Sequence, residues 1–298
     1  MTPNAETMAL MQKNFNTLFN RALALAPSHY RKVAMVVPST AAEENYGWLA
    51  SMPAIREWVG SRIISGLMVE GYKLRNLEFE ATVEVRRTAI EDDNYGVYAP
   101  LFEKMGADAA RHPDKLTLGL LKQGFASLCY DGQNFFDTDH PVGGAGGEAP
   151  VSVSNMQDGA GPAWFLLDCS QALKPLIFQN RLPYQIERVD QPNDDRVFFS
   201  GSFFYGVRAR CNAGFGMWQL AFASKATLNA TNYAAARAAM MNFNQDNGEP
   251  LGVMPTHLLV PPSLEAGGLQ LLNADRDAGG ATNVWNGTAE LVVTPYVK

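Results

Sequence analysis

The string Asp137-Thr138-Asp139-His140 holds the residue types best suited to chemistry in this 298-residue sequence. Carboxylate oxygens and an imidazole nitrogen can hold a divalent cation or activate a water molecule. Neighbouring side chains on an extended segment point to alternate sides, however, so at most two of these groups can converge. The other three histidines bring no second cluster of carboxylates with them. The string is better interpreted as a turn whose aspartates accept hydrogen bonds from nearby backbone N–H groups.

Other patterns that often mark enzymes are missing from the sequence. The glycine cluster at 143–147 precedes no Lys-Ser or Lys-Thr pair, so it does not match a phosphate-binding loop, and no Gly-x-Ser-x-Gly string occurs. Three cysteines, Cys129, Cys169 and Cys211, are too few and too scattered for a disulfide framework or a structural zinc site. The sequence therefore predicts a protein that is not an enzyme, with no catalytic residue, no cofactor and no metal ion.

The composition is that of a folded chain with fewer charged residues than usual. Hydrophobic residues make up 47% and charged residues 18%, against roughly 25% charged in ordinary soluble domains. Either much of the surface faces other protein, or this is ordinary variation between sequences. A net charge of -6 argues against tight phosphate binding. The longest apolar runs have the length of strands, and no basic segment opens the chain, so neither a membrane span nor a signal peptide is expected.

The first element is a predicted helix over residues 3–26. Phe15, Leu18, Phe19 and Leu23 recur at helical spacing along it, so the helix has an apolar face. Such a terminal helix can pack on its own domain, or it can be an arm that reaches a neighbouring subunit. Both interpretations remain open at this stage.

Residues 62–93 change to the pattern of a β-ribbon. Apolar and polar side chains alternate from Leu77 to Arg86, which is typical of a strand with one wet face. The apolar run 63–69 is expected to be its partner strand, with the bend near 71–76. An isolated hairpin is marginal in water, so the ribbon needs a platform in its own domain or on another copy.

A charge cluster stands at the base of this ribbon, and it is either a solvated turn or an ion-pair network that sets the ribbon's angle. Its members are Arg86, Arg87, Glu91, Asp92 and Asp93.

The remaining pattern predicts an α+β protein without a series of βαβ units. A helix is expected to begin near Asn94, to end at Pro113 and to be followed by a second helix with Asp114 as its cap. Residues 163–226 have the short apolar runs and turn residues of strands, among them Val197–Phe199. We expect the last elements to be a helix at 231–244, a strand at 257–260, a helix at 263–273 capped by Ser263, and a strand at 291–293.

Several strings in consistent order, spread over residues 48–297, resemble one known family. They are Ile90-Glu91-Asp92-Asp93-x-Tyr95-Gly96, Asp131-Gly132-Gln133-x-Phe135-Phe136 with His140-Pro141, Trp164-Phe165-Leu166-Leu167-Asp168, Pro175-Leu176-Ile177-Phe178-Gln179-x-Arg181, Tyr205-Gly206-Val207-x-Ala209-Arg210, Trp218-Gln219, Pro250-Leu251-Gly252 and Val260-Pro261-Pro262-x-Leu264-Glu265. Together they resemble the Mu-like major head subunit family (gpT) of tailed phages and prophages.

That resemblance implies the HK-ninety-seven-like (Johnson) phage capsid fold. Its parts would be an N-terminal arm over 1–50, an extended loop over 51–93, a peripheral domain with a spine helix over 94–226, and an axial domain over 227–298. The function it implies is that of a major capsid protein, which self-assembles into pentamers and hexamers of an icosahedral head around double-stranded DNA. An encapsulin-like cargo shell is the alternative, followed by a metal-dependent hydrolase that would use Asp137, Asp139 and His140.

The resemblance also implies partners and contact residues. The partners would be other copies of the chain, the portal, scaffold and decoration proteins of the phage, and packaged double-stranded DNA bound without sequence specificity. No membrane is involved, and the protein would reside in the virion after assembly in the host cytoplasm. The assembly contacts would lie on the arm at Phe15, Leu18, Phe19 and Leu23, and on the extended loop at Leu67, Val69, Tyr72, Leu77 and Phe79.

Overall fold

The computed structural model describes residues 5–50, 71–92, 94–143, 149–277 and 279–298. The expected strand over 63–69, with Leu67 and Val69, lies outside these residues, and so does Asp93. In the described part no helix combines the length and the hydropathy that crossing a membrane requires.

The described chain is an α+β protein, as expected. Its helices are α1 (Ala5–Leu25), α2 (Tyr30–Val33), α3 (Arg87–Glu91), α4 (Ala99–Gln123), α5 (Asp195–Ser200), α6 (Ala230–Met241) and α7 (Glu265–Leu272). Its strands are β1 (Ala34–Pro38), β2 (Glu43–Asn45), β3 (Lys73–Arg75), β4 (Leu77–Arg86), β5 (His140–Val142), β6 (Val151–Val153), β7 (Met156–Gln157), β8 (Trp164–Leu167), β9 (Leu176–Val189), β10 (Ser202–Phe215), β11 (Ala221–Ser224), β12 (His257–Val260) and β13 (Glu290–Val293).

The first sheet has the strand order β1-β9-β10-β4. The long strands β9 and β10 run antiparallel, and β1 is added parallel to β9. The strand predicted from the alternating residues Leu77 to Arg86 is confirmed as β4. Along its whole length it pairs antiparallel with β10, from Leu77 opposite Cys211 to Arg86 opposite Ser202. The partner of β4 that the structure describes is therefore a strand more than a hundred residues later in the chain, not the preceding apolar run.

Helix α4 differs from the expected pair of helices because it continues through Pro113 without a break. Proline removes one helical hydrogen bond, but packing on both sides of this position maintains the helix: Phe102 before it and Leu118 after it are fully buried. Asp114 is a cap, as expected, but for another helix. Its carboxylate accepts hydrogen bonds from the backbone N–H groups of His29 and Tyr30, at 2.9 and 2.7 Å, at the start of α2.

The second sheet has the order β13-β12-β8-β11-β7 and lies in the main core of the molecule. Strand β8 is fully buried along its length, which explains why its sequence shows no alternation. Strands β12 and β13 are parallel and are joined through α7. A single 3₁₀ turn over 262–264 precedes α7, so Ser263 lies in that turn and does not cap the helix.

Helix α6 ends at Met241, earlier than expected, and its N-terminus is capped by Asn229. The Asn229 side chain accepts a hydrogen bond from the Asn232 N–H at 2.9 Å. Three residues beyond the helix, the chain turns back through a bridge between Asn244 and Pro250. The Asn-Gly pair at 247–248 belongs to that turn, where Gly248 has a φ of 83°.

Candidate assembly surfaces

Helix α1 packs on its own chain, against α4 and the first sheet. The side chains of Phe15 and Phe19 are each only 1% exposed. The Phe15 ring stacks on Phe102 with centroids 3.9 Å apart and meets the edge of Tyr205 at 5.3 Å. Of the two interpretations of this helix, the structure therefore supports packing on its own domain. The expected role of Phe15 and Phe19 at an assembly contact is wrong for α1 in this position, because other side chains of the same chain already surround them.

The two other expected contact residues of α1, Leu18 and Leu23, are half-buried at the margin of the same cluster. Two leucines of this helix are instead strongly exposed: Leu10 at 61% and Leu25 at 76%. If α1 meets a neighbouring subunit, the apolar groups that it offers are these leucines.

The segment near 71–76 was expected to be a bend, but part of it is a strand. β3 pairs antiparallel with β2, and Tyr46 N–H donates to the Tyr72 carbonyl at 2.7 Å just beyond that pair. The expected contact residue Tyr72 is held by its own chain, because its hydroxyl oxygen accepts a hydrogen bond from the Phe215 N–H at 3.1 Å. Burial raises the pKa of Tyr72.

A buried polar network ties this β2–β3 pair to the first sheet. The Tyr46 hydroxyl donates to the Gln179 side-chain oxygen at 2.8 Å. The Gln179 amide nitrogen donates to the Leu74 carbonyl at 3.1 Å and to the Asn76 side-chain oxygen at 2.8 Å. Because Gln179 is fully buried, all these bonds form away from water. The network therefore connects the β2–β3 pair to Gln179 of β9.

Glu44 stabilises the turn that leads into β2. One of its carboxylate oxygens accepts hydrogen bonds from the Thr40 N–H at 2.8 Å, the Ala41 N–H at 3.1 Å and the Ser39 hydroxyl at 2.9 Å. These bonds favour the charged form, so they lower the pKa of Glu44.

The two expected contact residues of β4 have different environments. Leu77 is 45% exposed and so remains available to a neighbour. Phe79 is half-buried and meets the His112 ring edge-on at 4.3 Å. It lines a groove of about 330 Å³ between β4 and α4, together with Val83, Leu101 and Met105.

The described members of the charge cluster lie at the end of β4 and in and just after α3. Arg87 and Glu91 form an ion pair within α3, with the Arg87 Nε 3.1 Å from the Glu91 Oε1. Arg86 and Asp92 are exposed. Exposed ion pairs one helical turn apart add little stability, so this pair does not by itself hold the angle of β4.

A second set of charges, which the sequence reasoning missed, crosses the first sheet. Arg208 on β10 lies 3.4 Å from Glu78 on β4 and 3.5 Å from Glu187 on β9, and Arg210 lies 3.3 Å from Glu78. The signal was present as glutamates alternating along β4 and two arginines two positions apart on β10. It could not be used without knowing that these strands pair.

Helix α5 replaces the strand expected at Val197–Phe199. Its start is capped by Asp194, whose carboxylate accepts a hydrogen bond from the Arg196 N–H at 2.8 Å, and its end by Gly201 with a φ of 65°. Val197 is buried, whereas Phe198 is 77% and Phe199 84% exposed. This exposed aromatic pair is the second feature that sequence reasoning missed.

The Asp137–His140 string bends at Thr138 before β5, and its first aspartate accepts hydrogen bonds from backbone N–H groups, as expected. The Asp137 carboxylate accepts hydrogen bonds from the Thr138 N–H at 2.7 Å and from the Asn134 side-chain amide at 3.1 Å. His140 places its Nδ1 2.7 Å from the carboxylate of Asp131, which lies outside the string. Its ring stacks on Trp218 with centroids 4.0 Å apart.

Cys129, Asp131 and His140 form the one group of possible metal ligands found in the described ranges. The Cys129 thiol donates to Asp131 at 2.9 Å, and His140 bonds the other oxygen of that carboxylate. Two ligands on one tetrahedral zinc ion would be roughly 3.3 to 3.6 Å apart, so these shorter distances are those of hydrogen bonds. Burial and the adjacent Asp131 raise the pKa of Cys129, which makes this thiol a poor nucleophile. The cluster joins the turn after α4 to the start of β5.

The family model of the Mu-like prophage major head subunit gpT matches residues 8–297. The chain is 45% identical over 289 residues to the major capsid protein of Escherichia phage Mu, with 94% of each chain covered. It is 43% identical over 278 residues to the Mu-like prophage FluMu major head subunit of Haemophilus influenzae, with 91% of this chain and 90% of the relative covered.

Solved structures give the same result for the fold. A chain in the procapsid of bacteriophage JBD30 matches with a TM-score of 0.88 at 44% identity, over 98% of this chain and 99% of that chain. A chain in the JBD30 capsid matches with a TM-score of 0.78 at 34% identity, over 94% of each. The nearly complete coverage by family model, relatives and structures identifies this chain as a member of the Mu-like prophage major head subunit gpT family.

Proposed function

We propose that this chain is the major capsid protein of a tailed bacteriophage or prophage head, and that its copies assemble into the closed shell of that head. The observation that carries the proposal is the match to a procapsid chain, with a TM-score of 0.88 and 44% identity over 98% of this chain. At this identity and coverage the elements that build the shell of the relative have counterparts here.

The finer architecture is part of the proposal. We infer the HK-ninety-seven-like fold, with the arm over 1–50, the extended loop over 51–93, the peripheral domain over 94–226 and the axial domain over 227–298. Helix α4, which contacts strands of the first sheet and has 25 residues, is the proposed spine helix. Strands β12 and β13 with α7 are the proposed centre of the axial domain.

The physical properties of the chain suit a shell subunit. Rotational symmetry lets identical interfaces close a ring, and neighbours already in place hold the next copy at high effective concentration. Each interface can therefore be weak. Exposed apolar side chains such as Leu10, Leu25 and Phe199 would then be covered by other copies.

The proposed partners follow from this role. They are other copies of the chain in pentamers and hexamers, and the portal and scaffold proteins of the phage. The JBD30 capsid has been solved with minor capsid protein trimers as its decoration, and a similar decoration is proposed here. With a net charge of -6, an inner wall poor in positive charge would let packaged double-stranded DNA move without sequence-specific binding.

We propose a structural role without enzymatic activity, in the virion and, during assembly, in the host cytoplasm. A hydrolase centred on Asp137, Asp139 and His140 is not favoured, because His140 bonds Asp131 instead of either aspartate. An encapsulin-like cargo shell is not favoured either, because the full-length relatives reported above are head subunits of phages and prophages.

The test is assembly of the purified full chain, alone and with the scaffold protein of its phage. Analytical ultracentrifugation and negative-stain electron microscopy should show closed particles of uniform size. If sedimentation shows compact single molecules at every concentration, with scaffold present, the proposal is wrong.

A further inference from the structure

Helix α5 displays two aromatic rings that the described part of the chain leaves uncovered. Phe198 and Phe199 are 77% and 84% exposed, and their rings meet edge-on with centroids 5.4 Å apart. Single exposed apolar residues are normal on protein surfaces. Two adjacent phenylalanines at this exposure instead form an apolar patch whose contact with water is unfavourable.

Helix α5, which carries the two rings, is fixed by a buried residue and by hydrogen bonds near both of its ends. Val197 anchors the helix because its side chain is 1% exposed and packs in the cluster beneath the first sheet. Asp194 caps the start of the helix, and the Ser200 hydroxyl donates to the Arg196 carbonyl at 2.6 Å. A binding partner would therefore meet rings carried on an ordered backbone, so that little backbone freedom is lost on binding.

Charged groups next to the rings are of opposite sign and have no partner in the described residues. Asp195 and Arg196 are both exposed on the same helix, and neither forms an ion pair there. Arg196 and Phe199 also line a surface pocket with charged residues of the first sheet, among them Glu187 and Arg208. The helix itself contributes one acid, one base and an aromatic pair, a set that can be paired by a second copy of the same helix. A symmetric contact between two such patches pairs each acid with the base of the other copy.

We propose that α5 forms a contact between two copies of this chain, in which the aromatic pairs pack together and Asp195 of each copy pairs with Arg196 of the other. This rests on the proposed function, since a shell of one protein brings copies together in fixed orientations. Four phenyl rings can bury roughly 600 to 1,000 Å² in total, which is below the size of a stable interface. The contact therefore forms in the shell and not between free subunits.

Disulfide trapping tests the proximity of the two helices. Phe198→Cys is introduced together with Cys169→Ser, since the other two native cysteines are buried. The matched control is Val151→Cys, at a valine that is 67% exposed and remote from α5 in sequence. Oxidation should yield covalent dimers from Phe198→Cys particles, while unassembled chains of this variant and particles of the control should yield few.

Charge reversal tests the pairing of Asp195 with Arg196. Asp195→Arg and Arg196→Asp should each lower the yield of particles by roughly tenfold, because each turns two attractive pairs into repulsive ones. The double variant should recover the yield, and the melting temperature of the free subunit should be unchanged in all three.

The possible outcomes separate the two proposals. If the unmodified chain forms no particles, the proposed function fails, and this contact fails with it. If particles form but Phe198→Cys gives no more dimer than the control, the contact is wrong while the proposed function stands. A double variant that assembles no better than the single variants overturns the charge pairing.

Discussion

The ring of Phe15 lies flat on the ring of Phe102, with centroids 3.9 Å apart and planes at 10° to one another. This contact joins the first helix of the chain to α4. The helix at the N-terminal end is thus part of the subunit core, and changes to it should act first on stability.

Phe15→Ala should lower the free energy of unfolding by about 3 to 5 kcal/mol, since it removes a buried ring and leaves a cavity. Leu10→Ala is the control on the same helix and should change stability by less than about 0.5 kcal/mol, because Leu10 is 61% exposed. Urea denaturation of the free subunit measures both. A stable Phe15→Ala subunit that fails only in assembly would contradict the packing described here.

Gln179→Ala should destabilise the subunit by about 2 to 4 kcal/mol, because it leaves the Tyr46 hydroxyl and the Leu74 carbonyl buried without a partner. Gln185→Ala, at an exposed position of the same strand, is the matched control and should be nearly neutral. Equal effects of the two changes on thermal unfolding would show that the network does not hold the β2–β3 pair.

Asp114→Ala should lower the free energy of unfolding by about 2 kcal/mol, since the carboxylate caps α2 through two backbone N–H groups. Asp108→Ala, on the exposed side of α4, tests the helix alone and should cost much less. Denaturation curves of the two variants compare them directly. If Asp108→Ala lowers the free energy of unfolding more than Asp114→Ala does, the hydrogen bonds from Asp114 to α2 do not stabilise the subunit as described.

Glu44 should make stability depend on acidity. Its pKa is lower in the folded chain than in the unfolded chain, so the stability it adds is complete above the ordinary glutamate pKa of about 4.3. That contribution should disappear as the pH falls through the lower folded value. The difference in unfolding free energy between the native chain and Glu44→Gln, measured from pH 7 to pH 3, should shrink toward acid. A difference that grows toward acid would reverse the assigned sign.

Periodicity and capping residues in the sequence predicted individual helices and strands well. They could not predict which elements distant in sequence contact one another. The alternation from Leu77 to Arg86 predicted strand β4, because side-chain periodicity is a property of the strand itself. Its pairing with β10 depends on residues more than a hundred positions away. Asp114 has the residue type of a cap, but the helix it caps lies 85 residues earlier.

At the candidate assembly surfaces, too, the sequence predicted helices and strands but not which side chains are exposed. An apolar helix face looks the same in sequence whether the chain's own core or a neighbour covers it. The pattern therefore left both interpretations of α1 open, and it was the family resemblance that placed Phe15 and Phe19 against a neighbour. At α5 the run Val197–Phe199 was too short to distinguish a strand from a helix. The Asp194 cap and the exposure of both phenylalanines became visible only in the structure.

The parallel pairing of β1 with β9 also bears on how the subunit is made. Ala34 lies opposite Leu176, so roughly 140 residues must be synthesised before the first strand can find its place. At ordinary translation rates that delay is about 7 to 28 seconds. During this interval β1 has no β9 to pair with. The apolar face of α1 is exposed near other nascent chains on neighbouring ribosomes. The first sheet therefore cannot be completed until the later half of the polypeptide has been synthesised.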